Sequence, residues 1–213
     1  MRNAKPKRRN KSALSIFVLI MMAPLPDQKS GIAVEEKTVS DFLWDQAEKR
    51  NCYLYAFVDS ARNDEVFKYF LTDNIEYRSL FHGKMDIKFF GVSGFLLECK
   101  KDSILLNWLT TETWGNSYSI FFVSKAAFDD VLRHFQKFNR VYLEDDDVVY
   151  FRYYDPRVLR VYLPTCNSKE IKTFFGETES FFMDKLNPGI VIEYQRYSSL
   201  FSDKLTISTH KLT

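Results

Sequence analysis

Arg152, Asp155 and Arg157 set one carboxylate between two guanidinium groups within a span of six residues. An acid flanked by arginines could bind an anionic substrate, or turn one over, if the three groups converged in a pocket. The same residues also read as architecture. Asp155 is a good helix N-cap, Pro156 suits the first helical position, and the two arginines could simply brace the corner. The second candidate for chemistry is the acidic run Glu144–Asp147. Clustered carboxylates can hold a divalent cation, although such sites usually draw ligands from several segments, and Asp is common in turns. His82, His134 and His210 share no ligand spacing with one another or with Cys52, Cys99 and Cys166. Paired cysteines or histidines of the zinc-binding type do not occur, nor do a nucleophile elbow, a phosphate-cradling glycine loop or a dinucleotide fingerprint. Trp114, next to Gly115, reads either as a packed core aromatic or as an exposed binding anchor.

Composition narrows the classes. The chain has 213 residues, 16% of them aromatic, with few glycines and prolines, which suits a globular body with a substantial core. Its net charge of +2 is uneven: Arg2, Lys5, Lys7, Arg8, Arg9 and Lys11 precede any acid, and the remainder carries 24 basic against 28 acidic side chains. No basic face is visible on the body, so nucleic acid is not an expected partner. The apolar run Ala13–Ala23 has the outline of a secretory signal but is too short to cross a membrane. Pro24 makes a poor cleavage site. The favoured reading is that translation begins at Met21 or Met22, and mass spectrometry of the native N-terminus would decide it. Three widely spaced cysteines beside apolar runs fit reduced core thiols in the cytoplasm.

Periodicity supplies the elements that must position these groups. Residues 1–38 read as leader and lead-in, 39–197 as the body, and 198–213 as a polar tail expected to fray. Ser40 could cap a first helix ending near Asn51. Tyr53–Val58 reads as a buried strand, followed by a helix carrying Val66, Phe67, Phe70 and Leu71, and Asn74–Lys88 as a loop-rich connection. Gly94–Cys99 and Ser117–Val123 are further strands, while Ile104–Thr110 fits either a helix or a buried strand. Ser124 is the expected cap of an amphipathic helix containing Phe128, Val131, Leu132 and Phe135. Val141–Leu143 and Val148–Tyr153 flank the acidic run as a hairpin, the second strand continuing to Tyr154. After the Asp155-Pro156 corner, Val158, Leu159, Tyr162 and Leu163 form a helical stripe that Pro164 ends. Ser168 is read as the cap of a short helix closed by Gly176. A strand with a packed helix at the start suggests an α/β fold: a mixed sheet flanked by helices, with a mostly helical C-terminal part.

Three segments together carry a family resemblance. YLYAFVDSARNDEVF (Tyr53–Phe67), WGNSYSIFFVS (Trp114–Ser124) and YFRYYDPRVLRVYLPT (Tyr150–Thr165) resemble the domain-of-unknown-function 4123 family, the adaptor chaperones of bacterial type VI secretion. The resemblance implies a cytoplasmic protein that is not an enzyme and has no cofactor. It would bind a toxic effector and promote its loading onto the spike-tip protein VgrG, as a monomer within a heteromeric complex and away from membranes. Trp114, Arg152, Tyr154, Asp155 and Arg157 are then the candidate partner-contacting residues. The competing reading is an enzyme acting on an anionic substrate at Arg152, Asp155 and Arg157. On the structural reading of the corner, Asn at 155 caps nearly as well as Asp and is expected to preserve stability.

Overall fold

The chain's most apolar strand is buried on both faces, and the layering of the fold explains it. The computed structural model describes residues 36–81, 93–142, 148–199 and 202–212. In chain order these form α1 (Glu36–Arg50), β1 (Tyr53–Asp59), α2 (Val66–Thr72), β2 (Tyr77–Ser79), β3 (Gly94–Glu98) and α3 (Ile104–Thr111). Then follow β4 (Ser119–Ser124), α4 (Phe128–Gln136), β5 (Arg140–Tyr142), β6 (Val148–Tyr150) and α5 (Pro156–Tyr162), which tightens into a 3-10 turn at Leu163–Thr165. The remainder is α6 (Ser168–Phe175), β7 (Thr178–Asp184), β8 (Ile190–Ser198) and β9 (Asp203–Lys211). Seven strands make one sheet in the order β2-β3-β1-β4-β7-β8-β9, and β5 and β6 pair separately.

Alternate residues of the central strands enter two different cores, as the strand period of two requires. Tyr55 and Phe57 of β1, Phe122 of β4 and Phe181 of β7 pack with Phe135 of α4, Leu159 of α5 and Phe174 of α6. Leu54, Ala56 and Val58 of β1, Phe121 of β4 and Phe182 of β7 face the other way, onto Leu43 of α1, Val66 of α2 and Leu105 of α3. The sheet is thus the middle of three layers, and β1 has no solvent face except at Tyr53.

The pairing corrects the expected mixed sheet, because every ladder is antiparallel. The helices following β1 and β4 are not crossovers between parallel neighbours. β2, the next strand after α2, runs the same way as β1, but β3 lies between the two and is antiparallel to both, and β7 pairs antiparallel with β4. The expected helical C-terminal part is also corrected, since β7, β8 and β9 end the described chain. The polar tail pairs with β8 over nine residues, from Ser198↔Asp203 to Ile190↔Lys211. It is polar because β9 is an edge strand and needs only a thin apolar strip, of which Leu205 touches one core and Leu212, just beyond the strand, the other.

Local details shift as well. Ser40 lies within α1 rather than at its start. Ile104–Thr111 resolves as a helix, with Ser103 accepting a hydrogen bond from the Leu106 N–H. Ser124 ends β4 and Ala127 stands at the N-cap of α4 without a side-chain bond. Asn167, not Ser168, caps α6 in a reciprocal capping box with Glu170. The β5–β6 hairpin is present, while its acidic run Glu144–Asp147, like His82 and the leader Ala13–Ala23, lies outside the described residues.

His134 of α4 gives the fold a pH dependence. Its Nε2 lies 2.8 Å from the Phe174 carbonyl oxygen, and burial pulls its pKa below the ordinary value of 6.5. The unfolded chain therefore takes up a proton that the folded chain resists, and the stability contributed above about pH 6.5 is lost as the pH falls. Acidification from about pH 7 to pH 5 is expected to lower the melting temperature of the parent more than that of His134→Gln. Parallel melting curves check this.

Candidate functional site

The antiparallel order brings distant acids to one edge. β1 and β7 both flank β4, so they run in the same direction and their C-terminal ends emerge side by side. Those ends are Asp59 and Asp184, and both carboxylates are buried. The corner between β6 and α5 packs over the same edge and adds Asp155. Each acid receives an arginine. Arg152 Nη2 donates to Asp59 Oδ2. Arg157 grips Asp155 with two bonds, Nε to Oδ1 at 3.0 Å and Nη2 to Oδ2 at 2.6 Å. Arg160 Nη1 meets Asp184 Oδ1 at 3.1 Å, and its Nη2 donates to Ser117 Oγ at 2.7 Å. Asp184 also accepts the Ser117 N–H at 2.8 Å and the Leu186 N–H at 3.0 Å.

The Asp155-Pro156 start of α5 is as the sequence predicts. Asp155 has extended backbone geometry at φ −86°, and its Oδ1 accepts the Arg157 N–H at 2.9 Å. The strand before it is shorter than the alternation suggests. β6 stops at Tyr150, and both Tyr153 and Tyr154 are buried beyond its end. Tyr153 points into the aromatic core, and its hydroxyl donates to the Phe135 carbonyl at 2.9 Å. Tyr154 instead lies over the backbone of Gly94, while the Arg152 guanidinium carbon is 5.8 Å from its ring centroid.

That stacking needs a residue without a side chain. A Cβ at Gly94 would fall 2.5 Å from Cγ and Cδ1 of Tyr154, inside contact distance. Gly94→Ala is expected to cost about 1–3 kcal/mol, as overpacked sites do. Replacing Tyr154 by Leu in the same chain should recover part of the loss. A double-mutant cycle by denaturant unfolding checks it, and additive effects would show that the two positions do not meet.

The electrostatics follow from burial. Burial pushes the Asp59 carboxyl up, against the opposing pull of the Arg152 charge. Arg62, which follows β1 by three residues, has its pKa lowered by burial and then by the charge of Arg157. Its Nη2 donates to the Asn116 carbonyl at 2.9 Å. The corner therefore contains four arginines, of which the sequence pattern exposes two.

The five candidate residues separate into two groups. Arg152 and Arg157 reach the surface, whereas Tyr154 and Asp155 are buried beneath them. Trp114 is only 3% exposed and packs beside Phe121 in the opposite core, so it is no exposed anchor. Its neighbouring Gly115 has φ +90° and lies against Pro188, a tight turn that draws the indole inward. Asp59, Arg62, Arg160 and Asp184 are the members of the cluster that local patterns miss. One signal was present: Asp59 and Asp184 each end a run of apolar residues that is otherwise fully suited to burial.

The matched region of a known family covers this arrangement. A family profile described as a domain of unknown function (DUF4123) matches residues 54–173, more than half of the chain. The chain belongs to the DUF4123 family. The DUF4123 match runs from β1 into α6 and includes Asp59, Arg62, Arg152, Asp155, Arg157 and Arg160, while Asp184 lies beyond it. Comparisons with curated proteins and with solved structures return no match.

The other candidates stand apart from the DUF4123 corner. His210 Nε2 lies 2.9 Å from Glu193 Oε2, and Arg50 and Ser180 both donate to Oε1 of that buried acid. Cys99 is buried, Cys52 and Cys166 are half-buried, and all three are free. Burial raises each thiol, that of Cys166 to about 11, which leaves them poor nucleophiles. Among the described residues no group of three or more His, Cys, Asp or Glu could hold a metal ion, and no helix is long and apolar enough to cross a membrane.

Proposed function

We propose that this chain is an adaptor that binds a toxic effector in the cytoplasm and promotes its loading onto the VgrG spike tip of a type VI secretion system. The observation that carries the reading is membership of the DUF4123 family across the segments that contain the corner. The chemistry of the corner supports binding over turnover. Asp155 is fully engaged: one oxygen accepts the Arg157 N–H and Nε, and the other accepts Arg157 Nη2. A general base must reach a substrate proton, and this carboxylate is 1% exposed beneath the arginine that grips it. Asp59 and Asp184 are likewise buried and bonded at both oxygens by arginine and backbone donors. What faces outward are guanidinium groups, which are well represented at protein interfaces.

The test is co-purification of the full chain with a type VI effector from the same genome. A stable complex formed without turnover of the effector is the expected result. Two folded proteins that pass through size exclusion separately would refute it.

A further inference from the structure

The sheet has two edges, and only one of them is blunted. β2 ends it on one side with three residues, whereas β9 ends it on the other with nine. A long edge strand is a template for another chain, and proteins commonly guard it with a proline, a bulge or a central charge. β9 has none of these. Its ladder to β8 runs unbroken from Ser198↔Asp203 to Ile190↔Lys211, and the stretch Leu205–Thr209 carries neither proline nor charge. Ile207, in the middle of that stretch, is half exposed.

The bonding pattern tells which backbone groups face outward. At one end the Ser199 N–H donates to the Ser202 carbonyl at 3.0 Å, and at the other the Leu212 N–H donates to the Gly189 carbonyl at 2.9 Å. Antiparallel bonding alternates along a strand, so even-numbered residues of β9 bond inward to β8. The odd-numbered ones point their N–H and C=O groups away from it. Asp203 agrees with this parity: its N–H donates to Ser168 Oγ, at the start of α6, at 2.9 Å. Leu205, Ile207, Thr209 and Lys211 follow in the same orientation, and no strand of the described residues pairs with that side.

We propose that this edge pairs with the same edge of a second copy of the chain, antiparallel about a two-fold axis at Ser208. Charge selects the occupant. β9 begins with an acid, Asp203, and ends with a base, Lys211, so antiparallel pairing with itself brings each end beside its opposite. The open residues select the register. Centring on Ser208 pairs Leu205 with Lys211 of the second copy and Ile207 with its Thr209, which uses every outward residue beyond Asp203. Lys211 then lies diagonal to Asp203 of the second copy, within reach of a long side chain. Centring on Ile207 instead would set Lys211 directly opposite Asp203, where Ser168 already holds the outward N–H. The contact is isologous and closes on itself, joining two seven-stranded sheets into one. It does not depend on the adaptor reading.

The test is sedimentation velocity of the full chain alone, from roughly 1 to 100 µM, a range over which mass action reveals a reversible dimer. Ile207→Pro is the decisive variant, because proline is tolerated where the N–H of an edge strand faces solvent, yet it removes a donor from the centre of the contact. The expected result is a parent whose mass rises toward two chains and an Ile207→Pro variant that stays at one chain with an unchanged melting temperature. If the proline lowers the melting temperature, Ile207→Lys replaces it, since it keeps the backbone donor and sets like charges on the diagonal across the axis. Ser208→Cys reads the register. Facing residues of a non-hydrogen-bonded pair have Cα atoms about 4.5 Å apart, a separation that a disulfide spans. Under oxidation Ser208→Cys should give a covalent dimer that neither the parent nor Thr206→Cys gives. A parent that stays at one chain throughout, or a folded Ile207→Lys that dimerises as the parent does, would overturn the proposal. A dimer that Thr206→Cys crosslinks and Ser208→Cys does not would overturn the register.

Discussion

Asp155→Ala is expected to lower the melting temperature by roughly 6–12 °C, the equivalent of about 3 kcal/mol for a chain of this size. Loss of the N-cap bond to the Arg157 N–H accounts for about 1 kcal/mol. The rest comes from leaving the Arg157 guanidinium, and to a lesser degree Arg152 at 3.9 Å, without the buried carboxylate that neutralises them. Breaking a buried pair from one side costs about 3–5 kcal/mol, and the partial exposure of both arginines puts this case at or below the lower end. The structure changes the expectation for Asp155→Asn. Asn keeps the cap, but it cannot answer two guanidinium groups, so a loss on the order of 1–2 kcal/mol is expected rather than none. The predicted melting order is parent, then Asn, then Ala. An Asn variant that melts with the parent would show that the charge contributes nothing.

Phe135→Ala is expected to be at least as damaging, at about 3–5 kcal/mol. Phe135 is fully buried at the centre of the larger aromatic core, where α4 meets the sheet. Its ring centroid lies 4.8 Å from Phe57 of β1, 5.5 Å from Phe122 of β4, 5.8 Å from Phe174 of α6 and 5.8 Å from Tyr153 of the corner. These neighbours belong to four separate elements, so the cavity cannot close by a shift of one of them. Phe138, half-buried one turn later, should cost visibly less when truncated. Denaturant midpoints at constant m-value check both, and a Phe135→Ala loss below about 1 kcal/mol would contradict this packing.

How much of this was legible in the sequence depended on the range of the forces involved. The Asp155-Pro156 cap, the helix stripe and the stop at Pro164 act within a few residues, and the residue types encode them directly. The pairing of Asp59 with Arg152 spans 93 residues and depends on strand order, which period-two patterning cannot supply. Alternation misled at Tyr153 and Tyr154, because a turn lets adjacent rings enter the same core, Tyr153 reaching the Phe135 carbonyl and Tyr154 covering Gly94. Polarity misled at β9, since an edge strand can hold its place through the ladder to β8 with little apolar area. Arg62 shows no local signal at all. Only the assembled edge reveals three carboxylates already taken and a fourth arginine beside them.

The most direct test of the adaptor account is reconstitution of three purified proteins: this chain, a type VI effector and a VgrG from the same genome. Size exclusion with light scattering would measure how much effector travels with VgrG as the chain is added. The account predicts that effector joins VgrG efficiently only when the chain is present. Equal loading without the chain, with all three proteins folded, would contradict it.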